Sequence, residues 1–400
     1  MTGYPRLAVE RAMKVQEVIL RAMSGQYHWF QAAEILGVSC RTMRRWKWRY
    51  ERQGYDGLYD RRRKRPSPRK VPLALAERML RLFREKYFDF NVRHFHDILQ
   101  EEHGITLSYS WVKAALQGAG LVVVRRRRGP HRKRRPRRPL TGMLLHLDGS
   151  QHRWLPLDGQ QQTLLTLMDD ATSKVYYSQL VSQESTRTVM RALRCVVQEQ
   201  GLFCSLYTDR AGHFFYTPKA GQGPDRERPT QVARALKQLG IELIPAGSPQ
   251  ARGRGERLFG TWQGRLPQEL RLRDIRTFRE ANQYLRKVFI PFHNRRFAVE
   301  AEQKGTAFVK CRKSAEELER VFSLHHNRVV GNDNTVRVKG RRLQIERSPW
   351  RFHFVRCRVT VYEHLDGTFS VGYGPHIIGR YDASGNPLKN RKTPRKNQAA

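Results

Sequence analysis

The sequence has few acidic residues for its length. Its 400 residues include 36 Asp and Glu against 76 Lys and Arg, so the formal net charge is +40 at pH 7. A surplus of this size attracts phosphate-rich partners. Acidic membrane surfaces are the rival, but no apolar run approaches membrane-spanning length and no charged-then-apolar signal segment opens the chain. The composition therefore favours nucleic acid over a membrane as the partner.

Cysteine is also scarce. The cysteines are scattered and none stands in C-x-x-C spacing; they are Cys40, Cys195, Cys204, Cys311 and Cys357. This pattern argues for a reducing compartment and against a zinc finger. The histidines His94, His96 and His103 have no cysteine partners, so we interpret them as ordinary histidines on a helix surface rather than as zinc ligands.

Residues 1–60 carry a helix–turn–helix pattern. In "QAAEILGVSCRTMRRWKWRY" (31–50), a short helix is predicted before Gly37, and Ser39 is placed to cap the next helix. That helix would bury Met43 and Trp46. Its outward face would be polar and basic, made of Arg41, Thr42, Arg44, Arg45 and Lys47. Such a helix is suited to the major groove of DNA, and a plain helical hairpin is the alternative.

A second, looser helix–turn–helix domain is predicted at residues 61–124, which begin in the polar bridge "DRRRKRPSPRK". A helix at 73–86 is followed by "NVRHFHDILQEEHG" and "SYSWVKAALQGAG", with Ser108 or Ser110 near the start of the last helix. Fewer charges lie on this helix than on the first recognition helix. A packing role therefore competes nearly evenly with DNA contact.

A basic linker is predicted at residues 125–139. The run "RRRRGPHRKRRPRR" (125–138) has ten Lys or Arg in fourteen positions. It cannot bury a core, so we interpret it as a solvated arm whose DNA contacts would be strongly salt-dependent. The expected contacts are Arg125, Arg126, Arg127, Arg128, Arg132, Lys133, Arg134 and Arg135. A nuclear address is the alternative interpretation of such a run.

An α/β pattern begins after this arm. The apolar runs "GMLLHLDGS" and "LFCSLYTDR" place Asp148 and Asp209 at strand ends, and helices are predicted at 184–200 and 231–239. Acids at the ends of neighbouring strands gather at one edge of a sheet. Asp158, Asp169 and Asp170 are more simply explained as turn residues.

The stretch "GSPQARGRGERLFGTWQGRL" contains one acid, Glu256, among the cations Arg252, Arg254 and Arg257. Phe259, Trp262, Leu266 and Leu270 follow at helical spacing and would pin this helix to the sheet. Three convergent carboxylates suit Mg²⁺ or Mn²⁺, and two such ions about 4 Å apart support phosphoryl displacement. We therefore expect Asp148, Asp209 and Glu256 to hold metal and the three arginines to hold the DNA backbone. A surface helix with Glu256 favoured by the helix dipole is the alternative.

Residues 140–298 resemble the RNase H-like catalytic core of retroviral integrases and DDE transposases, and most closely the insertion-sequence transposases of the ISNCY group. The matching stretches are "LHLDGSQHRWL", "LLTLMDDATSK", "LYTDR", "TQVARALKQLGIELIPAGSPQARGRGERLFGTWQGRLPQELRL" and "ANQYLRKVFIPFHNRRFAV". The resemblance places Asp148, Asp209 and Glu256 on the metal-binding triad of the family. Residues 217–229 ("TPKAGQGPDRERP") make the spacing between Asp209 and Glu256 longer than in many relatives, which predicts a surface loop.

The C-terminal part changes pattern again. Residues 299–326 are predicted to be a linker, 384–400 a basic disordered tail, and 327–383 a small antiparallel β-barrel with a hairpin at Asp366-Gly367. This unit resembles the SH3-like barrels of transposases and integrases. It would bind either protein or DNA. The expected fold is thus multidomain, with all-α helix–turn–helix units, a central α/β RNase H-like core and a small β-barrel.

The resemblance implies a divalent-metal-dependent DNA transposase, in the bacterial cytoplasm at the nucleoid. It would bind terminal inverted repeats as a homo-oligomer, cut 3′ ends and join them to target DNA with two Mg²⁺ per site, which Mn²⁺ could replace. Two other functions fit the residues less well. One is a non-catalytic DNA-binding regulator, and the other is an RNase H-like nuclease that acts on branched DNA or hybrids without strand transfer.

Overall fold

The computed structural model describes residues 6–59, 70–124, 135–155, 159–217, 225, 227–247, 253–348 and 351–388. The chain forms two compact units, Met1–Met79 and Leu80–Ala400. None of the helices in these described ranges is long and apolar enough to cross a membrane.

The first unit is a small helical domain. Its helices are α1 (Arg6–Met23), α2 (Trp29–Ile35) and α3 (Cys40–Gln53), followed by a 3₁₀ turn at Gly54–Leu58. The turn before α3 forms as predicted, because Gly37 adopts a φ of 62° and the Ser39 side chain accepts a hydrogen bond from the Thr42 backbone N–H at 3.3 Å. The core is formed by Val15, Val18, Ile19, Ala22, Ala32, Ala33 and Met43. Helix α3 is thereby held by one face and exposes the other.

Three further helices follow, and the boundary between the two units falls within the first of them. They are α4 (Leu73–Glu85), α5 (Val92–Glu101) and α6 (Tyr109–Gly118), with Ser108 as the cap of α6. Seven of the ten residues of α5 are buried. The expectation of surface histidines is wrong for His94 and His96, which are 2% and 8% exposed. His94 Nε2 bonds the buried Glu269 at 2.7 Å because α5 packs against residues 264–273 of the same unit.

A mixed five-stranded sheet forms the centre of the larger unit. Its strands are β1 (Leu144–His152), β2 (Gln162–Asp169), β3 (Val175–Val181), β4 (Ser205–Thr208) and β5 (Glu242–Pro245), in the order β3-β2-β1-β4-β5. Strands β1, β2 and β3 pair antiparallel, whereas β4 pairs parallel with β1 and with β5. The parallel register brings Asp148 level with Asp209, which directly follows β4. The prediction that Asp148 ends its strand is wrong, because β1 continues to His152 through its pairing with β2.

Helices cover both faces of the sheet. Helices α7 (Thr186–Glu199) and α8 (Gln231–Gln238) bury Leu145, Leu147, Leu165 and Leu167, while the alternate residues Leu164 and Met168 pack in the opposite core. The helices of that opposite core are α9 (Gly253–Gln263), α10 (Leu266–Leu272), α11 (Phe278–Tyr284) and α12 (Ile290–Phe297), with a π turn at Leu285–Phe289. The result is the predicted α/β core.

Two asparagines fix α11 and α12 along the edge strand β3. The side chain of Asn282 accepts a bond from Leu180 N–H and donates to its carbonyl, and Asn294 pairs with Val175 in the same way. Twelve helical positions span about 18 Å and five strand positions about 17 Å, so the two pairs are in register. These bonds satisfy an edge that would otherwise be open and hold the helical layer beneath α9.

The C-terminal residues form a helix and two antiparallel sheets. These are α13 (Ala315–Val321), a four-stranded sheet of β6 (Leu324–Val329), β9 (Arg358–Glu363), β10 (Phe369–Tyr373) and β11 (His376–Tyr381), and the hairpin β7 (Thr335–Val338) with β8 (Arg341–Gln344). The hairpin at Asp366-Gly367 forms as predicted, between β9 and β10. Among the described strands no closed barrel forms, because β7 and β8 pair only with each other and not with the four-stranded sheet. Both sheets share one apolar core that includes Val336, Leu343 and Phe354.

Candidate active site

Asp148 and Asp209 lie side by side at the edge shared by β1 and β4. The parallel register pairs His146 with Tyr207, and residues two positions apart in a strand face the same side. The next residues on that side are Asp148, within β1, and Asp209, directly after β4. The loop after Asp209 is turned by its own side chain, since the Ala211 backbone N–H donates to Asp209 Oδ1 at 3.0 Å.

Glu256 enters this edge from the first turn of α9. The residues predicted to pin the helix are buried: Phe259 is 6% exposed, and Trp262, Leu266 and Leu270 are 0% exposed. Trp262 is fixed further by a hydrogen bond from its Nε1 to His293 Nδ1 at 2.9 Å. The anchored helix places Glu256 in its first turn, where the helix dipole favours a carboxylate.

A cavity of about 360 Å³ brings two of the predicted carboxylates together. It is lined by Asp148, Gly149, Ser150, Glu256, Phe259, Gly260 and Gln263. Gln263 Nε2 donates to Ser150 Oγ at 3.2 Å, which ties α9 to β1 at the cavity wall. Asp209 is not part of this lining and stands on the neighbouring strand.

The donor set has the chemistry for a hard divalent cation, because all three predicted ligands are carboxylates. Within the described residues, no three His, Cys, Asp or Glu side chains are grouped closely enough to hold a metal ion. Asp148 and Glu256 share one cavity, and Asp209 is level with Asp148 on the adjacent strand. The residues present therefore fit a divalent cation by their chemistry, whereas their positions do not form a closed set of ligands.

A fourth carboxylate near the site, Glu184, was missed in the sequence. Its side chain lies against Gly149, so closely that a Cβ atom there would overlap it. His213 Nε2 bonds Glu184 Oε1 at 2.8 Å, which connects the loop before α7 with the loop after Asp209. Glycine directly after Asp148 was the available signal, since a missing Cβ often marks a close approach.

Two of the cations predicted to hold DNA are engaged with a buried acid instead. Arg254 Nη1 and Arg135 Nη2 both donate to Asp170, whose side chain is fully buried. Arg257 is exposed, and its Nε donates to the Gly253 carbonyl at 3.2 Å. Of the two described arginines that flank Glu256, Arg257 is therefore the exposed one and Arg254 is partly buried.

The acids at the β2–β3 turn have separate structural roles. Asp169 caps the turn, accepting bonds from Gly142 N–H, Thr172 N–H and the Thr172 hydroxyl, as the turn interpretation predicts. Burial by itself would raise the pKa of Asp170, but hydrogen bonds from His146 and the Arg138 backbone N–H, together with the charge of Arg254, lower the pKa to about 2. Asp170 is therefore ionised at neutral pH.

Helix α3 exposes a basic stripe. Arg41, Arg44, Arg45 and Trp48 are exposed and follow the i, i+3, i+4, i+7 spacing of one helical face. Thr42 shares a hydrogen bond with the capping Ser39, and Lys47 Nζ lies 4.6 Å from the centre of the Trp29 ring. Thr42 and Lys47, two of the five residues predicted to contact DNA, therefore make side-chain contacts within the domain.

Several predicted residues lie outside the described ranges. They are Arg125, Arg126, Arg127, Arg128, Arg132, Lys133 and Arg134 of the arm, Asp158, Arg252, most of the 217–229 insertion, and the tail from residue 389 onwards.

Comparison with known proteins identifies the class. A putative transposase, y4bF of Sinorhizobium fredii (strain NBRC 101917 / NGR234), is 30% identical, covering 92% of this chain and 80% of the relative. The transposase for insertion sequence IS1202 of Streptococcus pneumoniae is 28% identical over 62% of this chain and 61% of its own length. The chain therefore belongs to the transposase family.

Two families of helical DNA-binding domains match the N-terminal part of the chain. A helix-turn-helix domain matches residues 16–67, and a homeodomain-like domain matches residues 42–116. Helix-turn-helix domains in a transposase indicate that the chain binds DNA.

Among solved structures, the simian T-cell lymphotropic virus intasome in complex with PP2A regulatory subunit B56 gamma aligns with 66% of this chain and 85% of that one, at 12% identity and a TM-score of 0.32. The HTLV-2 integrase catalytic core domain in complex with magnesium aligns with 37% of this chain and 88% of that one, at 14% identity and a TM-score of 0.27.

Proposed function

We propose that this protein is a DDE-type transposase that binds the terminal inverted repeats of an insertion sequence, cuts the 3′ ends and joins them to target DNA. The observation that carries the proposal is the meeting of Asp148 and Glu256 on one cavity, with Asp209 level with Asp148 on the adjacent parallel strand. Three acids from a strand, a strand end and a helix start suit phosphoryl transfer in a chain of the transposase family.

Asp148, Asp209 and Glu256 would hold the divalent cations. When bound, two Mg²⁺ or Mn²⁺ ions would activate the attacking oxygen and stabilise the leaving oxygen of an in-line displacement. Water is the first nucleophile and the freed 3′-hydroxyl the second, so no covalent bond between protein and DNA forms. Arg257, exposed one residue after Glu256, lies on the adjoining face of α9 beside Arg254 and Arg137, where it would contact the DNA backbone next to the cavity.

DNA recognition is assigned to the N-terminal part. The stripe of Arg41, Arg44, Arg45 and Trp48 on α3 offers donors for base edges and an apolar surface. The basic arm at 125–138 would neutralise backbone phosphates of the bound DNA. We further propose that the protein acts as a homo-oligomer assembled on DNA.

The test is a set of charge-removing substitutions assayed for cleavage and joining in Mg²⁺. The substrate is a duplex taken from the DNA that flanks the coding region. Asp148→Asn, Asp209→Asn and Glu256→Gln should each reduce both activities by orders of magnitude, because the charge that balances a metal ion is removed. Glu242→Gln removes an exposed acid at the start of β5 and serves as the matched control.

The outcomes separate the candidate functions. Near-normal strand transfer by a folded Glu256→Gln protein would overturn the triad assignment and leave only a helix-dipole contribution of about 0.3–1 kcal/mol for that residue. Metal-dependent cleavage by the wild type without joining indicates a nuclease. Sequence-specific binding without any cleavage indicates a regulator.

A further inference from the structure

Asp170 is the centre of a buried polar cluster that joins four separate parts of the chain. Its Oδ1 accepts hydrogen bonds from His146 Nε2 at 2.7 Å, from Arg135 Nη2 at 2.5 Å and from Arg254 Nη1. Its Oδ2 accepts the backbone N–H of Arg138 at 2.7 Å. A fully buried carboxylate with this many donors is a fixed point to which β1, α9 and the end of the basic arm are all tied.

The cluster extends to β4 through contacts with the aromatic ring of Tyr207. The His146 ring packs edge-on against Tyr207 of β4, with ring centres 5.2 Å apart. The Arg135 guanidinium lies 5.6 Å from the centre of the same Tyr207 ring, and Arg254 Nη2 donates to the Arg135 carbonyl at 2.9 Å. Together with Asp170, these side chains form the cluster that we call the Asp170 cluster: Arg135, His146, Asp170, Tyr207 and Arg254.

Each carboxylate of the proposed triad stands two residues after a member of the Asp170 cluster. Asp148 follows His146 and Asp209 follows Tyr207, and in a strand residues two apart point to the same side. Glu256 follows Arg254 within the first turn of α9. A shift of any one of these three cluster members therefore moves one carboxylate relative to the other two.

We propose that Asp170 is a positioning residue that aligns Asp148, Asp209 and Glu256 by holding the residues beneath them. The proposal rests on the proposed function. Asp170 is assigned no contact with DNA or metal; its single charge offsets part of the charge of two neighbouring guanidiniums, and its buried carboxylate accepts the imidazole bond. Without its charge, Arg135 and Arg254 would repel each other, and the first turn of α9 would lose its link to β1.

The chain offers a matched control in Glu363. This carboxylate is also buried, at 2% exposure, and it accepts bonds from a guanidinium, an ammonium and an imidazole, those of Arg187, Lys339 and His326. It lies in the C-terminal sheet, away from the cavity at Asp148. Asp170→Asn and Glu363→Gln therefore remove the same kind of charge at two places, and only one of them underlies the triad.

The first experiment compares the two variants in full-length protein. Single-turnover cleavage of terminal-repeat DNA is measured at saturating and limiting DNA, beside the unfolding midpoint. Asp170→Asn should lower the maximal rate by about 100-fold, as misplacement of a catalytic group by about 1 Å does, with half-saturation by DNA nearly unchanged. Glu363→Gln should retain the rate. Equal rate reductions in both variants at equal destabilisation would overturn the proposal, because general stability would explain them.

A second variant covers the case in which Asp170→Asn does not fold. Arg254→Met keeps an unbranched apolar stem and removes only one of the groups that donate to Asp170. It should also lower the maximal cleavage rate and leave half-saturation by DNA unchanged. If Arg254→Met changes only the DNA concentration that gives half-maximal cleavage, Arg254 serves DNA binding instead. That result would overturn its role in positioning the three carboxylates.

A third experiment measures metal binding instead of cleavage, with Mn²⁺ as the probe. Binding of Mn²⁺ to DNA-free protein, followed by electron paramagnetic resonance, should weaken about tenfold in Asp170→Asn, as is typical when partners of metal ligands are removed. Unchanged Mn²⁺ affinity with an unchanged cleavage rate overturns the proposal alone. Full activity of Glu256→Gln in the same series overturns the proposed function, and the positioning role with it.

Discussion

Gly255 lies directly against Asp148. A Cβ atom added to Gly255 would stand 2.8 Å from Asp148 Oδ2, closer than real Cβ atoms approach an oxygen. The helix that carries Glu256 therefore approaches β1 at a position where it has no side chain. This close approach lets Asp148 and Glu256 line the same cavity.

Gly255→Ala should separate stability from activity. Alanine is the better helix former by about 0.5–1 kcal/mol, so the free energy of unfolding should be unchanged or higher. The new methyl group would push the Asp148 carboxylate aside, so DNA cleavage should fall by at least about tenfold. Both quantities are measured on the same preparation, by urea unfolding and by single-turnover cleavage.

Gly253→Ala is the control for this change. Gly253 belongs to the same helix, and a Cβ atom there would meet nothing within 4 Å. It should retain cleavage. If Gly255→Ala also cleaves at the wild-type rate, the contact between α9 and Asp148 has no bearing on catalysis.

The three acids of the proposed triad could be singled out in the sequence because local pattern marks each of them. Asp148 and Asp209 each follow a short apolar run, and Glu256 precedes apolar residues at helical spacing. Strand ends and helix faces are set by side-chain periodicity, which a single sequence records. The family resemblance implies that the three acids share one site, which stays a prediction.

The partners of buried charges could not be predicted, because they come from distant parts of the chain. Asp170 meets Arg254 across 84 positions, and His94 meets Glu269 across 175. Nothing local distinguishes a turn aspartate or a helix histidine from one that is buried with a partner. Likewise, the alternation of apolar and polar residues predicted strands in the C-terminal part. It did not predict that, among the described strands, β7 and β8 pair only with each other, because strand pairing depends on residues far along the chain.

The stripe on α3 yields a prediction about sequence discrimination. Replacing Arg41 and Arg45 with Ala should weaken binding to the terminal repeat more than binding to random DNA, by about 1–3 kcal/mol for each arginine that hydrogen-bonds a base edge. Fluorescence anisotropy with both duplexes measures the difference. Arg11→Ala removes an exposed arginine of α1 as the control. Equal weakening on the two DNAs would mean that these arginines bind phosphate only.

The basic arm yields a prediction about salt. Neutralising Arg125, Arg126, Arg127 and Arg128 should flatten the slope of log affinity against log salt by up to about 3–4, because fewer counterions are released. Preference for the terminal repeat should stay nearly intact, since phosphate contacts carry no base information. Binding titrations at several salt concentrations provide the slope. An unchanged slope would show that this part of the arm does not contact DNA and would favour the address interpretation.

The pair of Trp262 and His293 yields a prediction about pH. His293 is 4% exposed, and its Nδ1 accepts the Trp262 indole N–H, so the ring is neutral in the folded state. Burial, together with the charge of Arg265, lowers the pKa of His293 to about 4. In the unfolded chain the His293 imidazole binds a proton near pH 6.5, whereas in the folded chain it binds one only near pH 4. Stability from this residue is therefore complete above pH 6.5 and declines as the pH falls towards 4.

The expected decline is about 1 kcal/mol per pH unit between those limits, measured by urea unfolding followed by tryptophan fluorescence. His293→Asn tests its origin, because the asparagine carbonyl can still accept the indole bond but does not titrate. The variant should be less stable than wild type at pH 8, where a smaller side chain leaves a gap, and the difference should narrow as the pH falls to 5. Burial of His325 also lowers its pKa to about 4, so part of the slope should remain. If the free energies of unfolding of wild type and His293→Asn differ by the same amount from pH 8 to pH 5, His293 binds its proton equally in the folded and unfolded chain.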